Sequence, residues 1–457
     1  METTAAYKTP IDERKAFSAI DIGTTKIVAL TGYTNERGEI EVLGCGTVTS
    51  NGVARGNVVN IELVVQSIKS AVEKAHAEAG FFCKKVIVGV AGQHIRSAHN
   101  RNGINRSNPS QAITQQEIDD LQADNRHVNL DIDEEILHII PQNYVVNSQH
   151  VTNTPVGMTG HRVEGNYHIV IGKTEPLKNI RTAIVRVGLE LQEFMLEPLA
   201  SAKSVTTAEE RELGCVVIDI GGGTTDVAIF HDHTVKFTEV IPFGGNVITR
   251  DIQEGCKVLS NEAEELKINY ARCIQDAASN DILSIPGMNG RPAREITLKT
   301  LAGITQCRME EIIDAASYVI QTSGYARHLG AGIIVTGGGA ELKDLQQLLS
   351  FKMCNETRIG KPLHAVHYHQ SGVFGLPQFA TAAGLLMFAA EAHKKLAGEI
   401  SVAQEQESAP ANKTIAIEEK SKSKITIKNF LKGIIGTKNY NEEYAKQDTR
   451  LVGELMN

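Results

Sequence analysis

Two aspartates of this chain stand in the same setting. Asp21 ends the apolar run of "AIDIGTTKIVAL" (19–30), and Asp219 ends that of "VVIDIGGGTTDVAIF" (216–230), where a further acid, Asp226, follows. A turn of glycine and threonine comes directly after each carboxylate. Glycine tolerates positive φ and close approach, so such a turn can present successive backbone N–H groups in a concave arc, and arcs of this kind bind phosphate oxygens. Gly23, Thr24 and Thr25 would form one arc. Gly221, Gly222, Gly223, Thr224 and Thr225 would form the other, with the threonine hydroxyls as extra donors. A carboxylate just ahead of the turn can hold Mg2+ beside the phosphates, usually through water. Lys26 either reaches a phosphate or points to solvent from its strand. Either hairpin alone could be a tight structural turn. Two of them, in halves of similar build and facing each other, would clamp a triphosphate.

Three other stretches carry chemistry. "IIVTGGGAEL" (333–342) ends an apolar strand on Gly337, Gly338 and Gly339, bare backbone on which a nucleoside could rest. "NEAEELKINY" (261–270) puts Glu264 and Lys267 three apart on one helix face, a spacing ordinarily found as a solvated pair. "MLEPLASAKSV" (195–205) places Glu197 just before Pro198 and a helix of small residues, where it could orient a water. By contrast, His364, His367 and His369 in "HAVHYH" have no cysteine or carboxylate cluster to complete a metal site and read as surface histidines.

The elements that must position these residues repeat as well. Residues 17–48 alternate short apolar runs with turns, predicting a three-stranded antiparallel meander, and 215–242 repeat it. A helix at about 60–80 follows the first meander, with Ile61, Val64, Val65, Ile68 and Val72 at helical spacing. Another follows the second, near 246–270. Residues 86–165 have a different character and predict an inserted subdomain. It contains a helix with Thr114 as N-cap and Glu117 three residues on. A second insertion, helical and charged, is expected at about 255–325. From 391 to 424 the composition turns polar and predicts a disordered linker. A short apolar island follows, "ITIKNFLKGIIG" (425–436), in which Ile427, Phe430, Leu431, Ile434 and Ile435 share one helical arc bordered by Lys424, Lys428 and Lys432. That pattern suits an anionic membrane surface; the alternative is a helix that docks back on the globular body.

Composition narrows the class. A chain of 457 residues suggests roughly three domains, and 42% hydrophobic residues suffice for substantial cores. A net charge of −8 argues against a general nucleic-acid binder. Seven scattered cysteines without a CxxC pair read as structural thiols in a reducing compartment. The first residues lack the apolar core of a secretory signal, and "FATAAGLLMFAA" (379–390) is too short to span a bilayer. A soluble or peripheral protein is expected.

Taken in order, "DIGTTK", "EPLASA", "DIGGGTTD", "AEELK", "TGGGA" and "FATAAGLLM" resemble the phosphate loops, connecting helices and nucleoside-binding elements of the actin-like ATPase superfamily. The longer stretches 84–97, 196–230 and 240–271 are similar to the FtsA family of bacterial cell-division proteins, and the resemblance covers about 17–390. It implies an α/β, actin-like (ribonuclease-H-like) duplicated fold with two lobes around a nucleotide cleft. In that scheme 1–16 is a tail, 17–85 and 166–205 form subdomain 1A, and 86–165 the family's inserted subdomain 1C. Residues 206–254 and 326–390 form 2A, 255–325 form 2B, 391–424 the linker, 425–436 a membrane-targeting helix and 437–457 a polar tail.

The resemblance further implies ATP and Mg2+ as ligands, with at most weak ATPase activity. Asp21 and Asp219 would serve the metal; the two turns and Lys26 the phosphates; Glu264, Lys267, Gly337, Gly338 and Gly339 the nucleoside. Glu197 matches the acid that positions the hydrolytic water in related filament proteins. Self-association into filaments is implied, on the cytoplasmic face of the membrane at the division septum, as a peripheral protein held by Ile427, Lys428, Phe430, Leu431, Lys432, Ile434 and Ile435. The C-terminal peptide of FtsZ would bind subdomain 2B, where Arg308 and Glu311 match the family's pair; other division proteins are further partners the family would allow, and nucleic acid is not among them. This sequence departs from the family pattern in one place: the targeting helix usually closes the chain, whereas 437–457 follow it here. A pilus-assembly protein of the same fold would lack the linker and basic helix. A small-molecule kinase would need a catalytic base and a sugar-shaped cleft that the insertions do not show.

Overall fold

The apolar runs around Asp21 and Asp219 become the central strands of two sheets. Ala16–Ile22 and Cys215–Ile220 are buried along their whole length, as expected of strands covered on both faces. A computed structural model of the protein describes residues 15–285, 292–362, 366–368 and 372–408. In the first sheet the order is Glu190–Leu196, Lys85–Val90, Ala16–Ile22, Lys26–Thr34, Ile40–Thr49, Val366–Tyr368. In the second it is Thr357–Ile359, Ile333–Thr336, Cys215–Ile220, Thr225–His231, Thr234–Ile241. Each is an antiparallel meander extended on its first strand's free side by two parallel strands. The second sheet thus repeats five strands of the first in the same order, and the chain has the duplicated α/β architecture of the actin-like fold.

Helix Ile61–Ala79 covers the first meander. Asn60 caps it by accepting from the Leu63 N–H, and Gly80 ends it in the left-handed region. Its buried Val64, Ile68, Ala71, Val72 and Ala75 join Ile20, Ile27 and Val88 in one apolar core. Where one helix near 246–270 is expected there are two, Gly245–Cys256 and Ser260–Tyr270, separated by Lys257 at φ 54°. The second insertion adds a hairpin of Ile282–Ile285 with Arg294–Thr297, and then the long helix Leu298–Thr322.

The inserted subdomain is an antiparallel sheet in the order Ile95–Asn105, Arg162–Lys173, Glu134–Val146, His150–Thr152. Helix Gln115–Ala123 packs over it, opened by the reciprocal Thr114–Glu117 capping box. Its boundaries differ from the expected 86–165. Lys85–Val90 belongs to the main sheet, because the run Val86–Val90 is buried throughout and needs cover on both faces. At the other end Arg162–Lys173 is the insert's own inner strand, not the start of the next lobe segment. The insert also reaches the edge strand of the second lobe. Ser97 Oγ donates to the Thr238 carbonyl at 2.8 Å, and Gln142 Nε2 donates to the carbonyls of Val235 and Lys236.

The residues through Glu399 form one unit. The last described element is helix Ala380–Ser408, so 391–408, expected as disordered linker, is helical. The stretch is rich in Glu and Ala, with two Lys and two Gln, and high intrinsic helix propensity extends the helix where burial is not needed. The membrane-targeting segment 425–436 and the tail 437–457 lie outside the described residues. No helix among the described residues is long and apolar enough to cross a membrane.

Candidate functional site

The two hairpins meet tip to tip. A methyl group added to Gly222 would lie 2.1 Å from Thr25 Oγ1, and one added to Gly223 would lie 2.4 Å from Thr24 Oγ1. Only bare glycine lets the two turns come this close. Behind them opens a cavity of about 470 Å³, within the size range of small-molecule sites. It is lined by Asp21, Gly23, Thr24, Thr25, Lys26, Glu197, Asp219, Gly221, Gly222, Gly223, Thr224, Glu264, Lys267, Gly337, Gly338 and Gly339. All the residues expected at the nucleotide are therefore together except Thr225. That side chain is fully buried, and its hydroxyl donates to the Phe243 carbonyl at 2.9 Å. Thr225 begins a strand whose face turns away from the cleft, so its hydroxyl is a structural donor and not a phosphate ligand.

Lys26 faces the cavity rather than solvent. Its ammonium donates to Gln378 Oε1 at 3.0 Å and to the Gln378 carbonyl, and it lies 4.3 Å from the Phe379 ring centroid. Burial lowers its pKa, while Asp21 and then Asp219 raise it. Glu264 and Lys267 are also more than a solvated pair. They are 2.8 Å apart, and Thr249 joins them, its hydroxyl donating to Glu264 Oε2 at 2.5 Å and lying 2.8 Å from Lys267 Nζ. Gly337 sits at φ 84°, where a side chain would strain the backbone and would also strike Asp219 Oδ1. The N–H groups of Gly245 and Asn246, at the start of their helix, donate to the carbonyls of Gly221 and Gly222 at 2.8 Å and brace the second turn.

Asp226 is the residue that reading the motif as a phosphate turn leaves out. It pairs directly across the hairpin from Asp219, so the two carboxylates share a face, a repulsive arrangement unless something cationic joins them. Asp21, Asp219 and Asp226 are each less than a tenth exposed, and Asp226 Oδ1 has no hydrogen-bond partner. Glu197, the first residue of helix Glu197–Val205, keeps part of its surface on the cavity. Burial, then the neighbouring carboxylates Asp21, Asp226 and Asp219, hold Glu197 well above the ordinary glutamate range. Burial, then Asp219 and Asp21, do the same for Asp226. Burial raises Asp21 from 3.8 to about 6, with Lys26 opposing.

A carboxylate whose folded pKa lies above its unfolded value makes the folded state bind more protons, so its destabilising effect grows as pH rises through that window. For Asp21 the window runs from 3.8 to about 6. The buried His94, His138 and His168, each lowered by burial to about 4, act in the opposite sense, so the effect is read as a difference. Without nucleotide, Asp21→Asn should be more stable than the wild type at pH 7.5 by up to about 3 kcal/mol. By pH 5 the gain should fall to roughly half. Urea denaturation at the two pH values measures this; a gain that is constant or grows on acidification contradicts it.

The donor set is one of hard oxygens. Among the described residues no three His, Cys, Asp or Glu side chains are placed to hold a metal by themselves. Carboxylate oxygens suit an ion such as Mg2+, which takes one or two of them and fills its shell with phosphate and water.

A family model described as "Cell division protein FtsA" matches residues 216–384, and one described as "SHS2 domain inserted in FTSA" matches 92–171. The second range agrees with the insert's observed limits. The cell division protein FtsA of Pseudomonas aeruginosa is 36% identical over 384 residues, spanning 83% of this chain and 90% of its own. The chain belongs to the FtsA family. FtsA of Escherichia coli strain K12 is 32% identical over 401 residues, covering 85% of this chain and 93% of its own. Among solved structures, the PilM–PilN type IV pilus biogenesis complex superposes with a TM-score of 0.60 at 15% identity, over 82% of this chain and 98% of that one. That likeness concerns the fold alone. The FtsA matches favour the cell-division reading over the pilus-assembly one.

Two groups singled out in the sequence lie apart from the cavity or outside the described residues. Arg308 and Glu311 lie on helix Leu298–Thr322, away from the cavity. The Arg308 guanidinium donates to both Asp251 carboxylate oxygens, at 2.5 and 3.1 Å, and also to Glu311. His367 Nε2 lies 3.9 Å from Glu39 Oε1, while His364 and His369 are outside the described residues.

Proposed function

We propose that this FtsA-family chain binds ATP with Mg2+ in the cleft between its lobes, assembles into filaments on the cytoplasmic face of the membrane at the division septum, and anchors FtsZ filaments there. The observation that carries the nucleotide reading is the pair of facing hairpins, with the buried Asp21, Asp219 and Asp226 and with Lys26 beside them. Bound Mg2+ would supply the positive charge that these carboxylates lack and would draw the phosphates toward them. Asp21 and Asp219 would hold that ion through water. Gly23, Thr24, Thr25, Gly221, Gly222, Gly223, Thr224 and Lys26 would face the phosphates, and Glu264, Lys267, Gly337, Gly338 and Gly339 the nucleoside.

Glu197 supports a slow ATPase at most. Burial and the neighbouring Asp21, Asp226 and Asp219 raise its pKa, which works against the carboxylate form that would take a proton from the attacking water. Calorimetric titration with Mg-ATP tests the nucleotide reading: saturable binding of one nucleotide per chain is expected, and the absence of binding overturns it.

The partner site rests on Arg308 and Glu311 by family resemblance. Arg308 already has a carboxylate on either side, so an acidic peptide group would have to share its guanidinium with Asp251. Charge reversal in Arg308→Glu should cost a synthetic FtsZ C-terminal peptide about 1.5–3 kcal/mol of affinity. Fluorescence anisotropy measures this, with melting curves as a check on folding. Peptide binding as tight as to the wild type shows that the partner site lies elsewhere.

A further inference from the structure

Asp219 is held by two hydroxyls from the connecting helices, neither of them in a phosphate turn. Ser201 Oγ donates to Asp219 Oδ2 at 2.5 Å, Thr381 Oγ1 donates to the same oxygen at 3.0 Å, and the two hydroxyls are 3.0 Å from each other. Ser201 belongs to helix Glu197–Val205 and Thr381 to helix Ala380–Ser408, whereas Asp219 ends the central strand of the second sheet. The two helices pack backbone to backbone. A methyl group added at Gly384 would overlap the Ala200 carbonyl oxygen at 1.7 Å, and Ser204 Oγ donates to the Ala380 carbonyl at 2.7 Å. Ser201 and Ser204 are essentially fully buried.

We propose that Ser201 and Thr381 are positioning residues for the Mg2+-nucleotide. They fix the Asp219 carboxylate by one oxygen, leave the other free of hydroxyl donors among the described residues, and tie that carboxylate to both helices that cross beside the cleft. The inference rests on the nucleotide reading above and deepens it. A carboxylate that swings freely can serve a hydrated cation in many poses. One oxygen saturated by two donors from two rigid helices leaves a single pose, and second partners of this sort commonly tune cation affinity. Asp219 in turn ties the helix crossing to the second lobe, so a shift of either helix moves the group that faces the cation.

The test compares affinities for ATP with Mg2+ and with EDTA. It uses the full chain and Ser201→Ala, Thr381→Val and Thr381→Ser. Ser201→Ala and Thr381→Val should each weaken Mg-ATP binding about tenfold, the loss of one hydrogen bond to a charged group. Affinity for ATP in EDTA should stay unchanged, and Thr381→Ser, which keeps the hydroxyl, should restore wild-type Mg-ATP affinity. A residue that merely stabilised the fold would lower both affinities together. Should Ser201→Ala fail to fold, as its burial allows, the Thr381 pair alone decides. Unchanged Mg-ATP affinity in Thr381→Val, equal losses with and without Mg2+, or no rescue by serine each overturn the proposal. A wild-type chain that binds no nucleotide under either condition refutes the nucleotide reading itself, a distinct outcome.

Discussion

Asp219→Asn is expected to weaken Mg-ATP binding by a hundredfold or more while leaving affinity for metal-free ATP equal or higher. The amide keeps the size of the carboxylate and can still accept from Ser201 and Thr381, so the local packing survives and only the charge is lost. A unit charge about 4 Å from another at a partly buried site is worth roughly 4 kcal/mol per charge pair. Some of this is returned because Asp219 no longer repels Asp21 and Asp226. The remainder, about 3 kcal/mol or more, corresponds to the hundredfold. Metal-free ATP is itself an anion and meets one carboxylate fewer in the variant, which fixes the opposite sign. The same substitution should raise the melting temperature of the nucleotide-free protein, since it removes one of several crowded, desolvated carboxyls. Sites built for function commonly show this exchange of stability for binding. Titration calorimetry with Mg2+ and with EDTA reads both affinities; equal losses in the two conditions would mean that Asp219 does not serve the metal.

Phe430→Glu is expected to remove nearly all binding to anionic vesicles. The sequence sets the scale. Burying the four large side chains of Phe430, Leu431, Ile434 and Ile435 is worth roughly 6–12 kcal/mol at most. Ordering about ten residues costs roughly 1–2 kcal/mol each. Lysine attraction to anionic lipid returns about 1 kcal/mol per charge. On the proposed function, a single copy would bind weakly and a filament firmly, through avidity. One carboxylate on the face that would insert would subtract from a net close to zero, multiplied over every copy of the proposed filament. Salt should weaken the wild type only partly, because it screens the lysines and leaves the apolar arc. Flotation on vesicles with about 0, 20 and 40% anionic lipid, in the presence of ATP, reads the effect. Undiminished flotation of the variant would refute 425–436 as the tether.

What the sequence made legible follows from range. The two hairpins, the Thr114–Glu117 cap and the helix at 61–79 are local patterns, and local hydrogen bonds and spacing decide them. The same patterns mislead where a neighbour far along the chain decides. Lys85–Val90 reads as part of an insert until Ala16–Ile22 is seen to need a parallel partner. Thr225 reads as a phosphate donor until Phe243 takes its hydroxyl. Lys26 was ambiguous by sequence because Gln378, over three hundred residues away, fixes its direction. Asp226 could have been found by strand register alone: four turn residues between Ile220 and Thr225 place it opposite Asp219. Ser201 and Thr381 carried no signal of their own, since a buried hydroxyl in a helix of small residues most often bonds its own helix, as Thr206 does to the Ala202 carbonyl.

The anchoring of FtsZ is tested most directly by reconstitution. FtsZ filaments, anionic vesicles and Mg-ATP are mixed with the full chain, with a chain ending at residue 424, or with neither, and then floated through a density gradient. The account predicts that FtsZ rises with the vesicles only when the full chain is present, and that it stays at the bottom with the shortened one. FtsZ left behind while the full chain itself floats, or FtsZ floating equally well with the shortened chain, would contradict it.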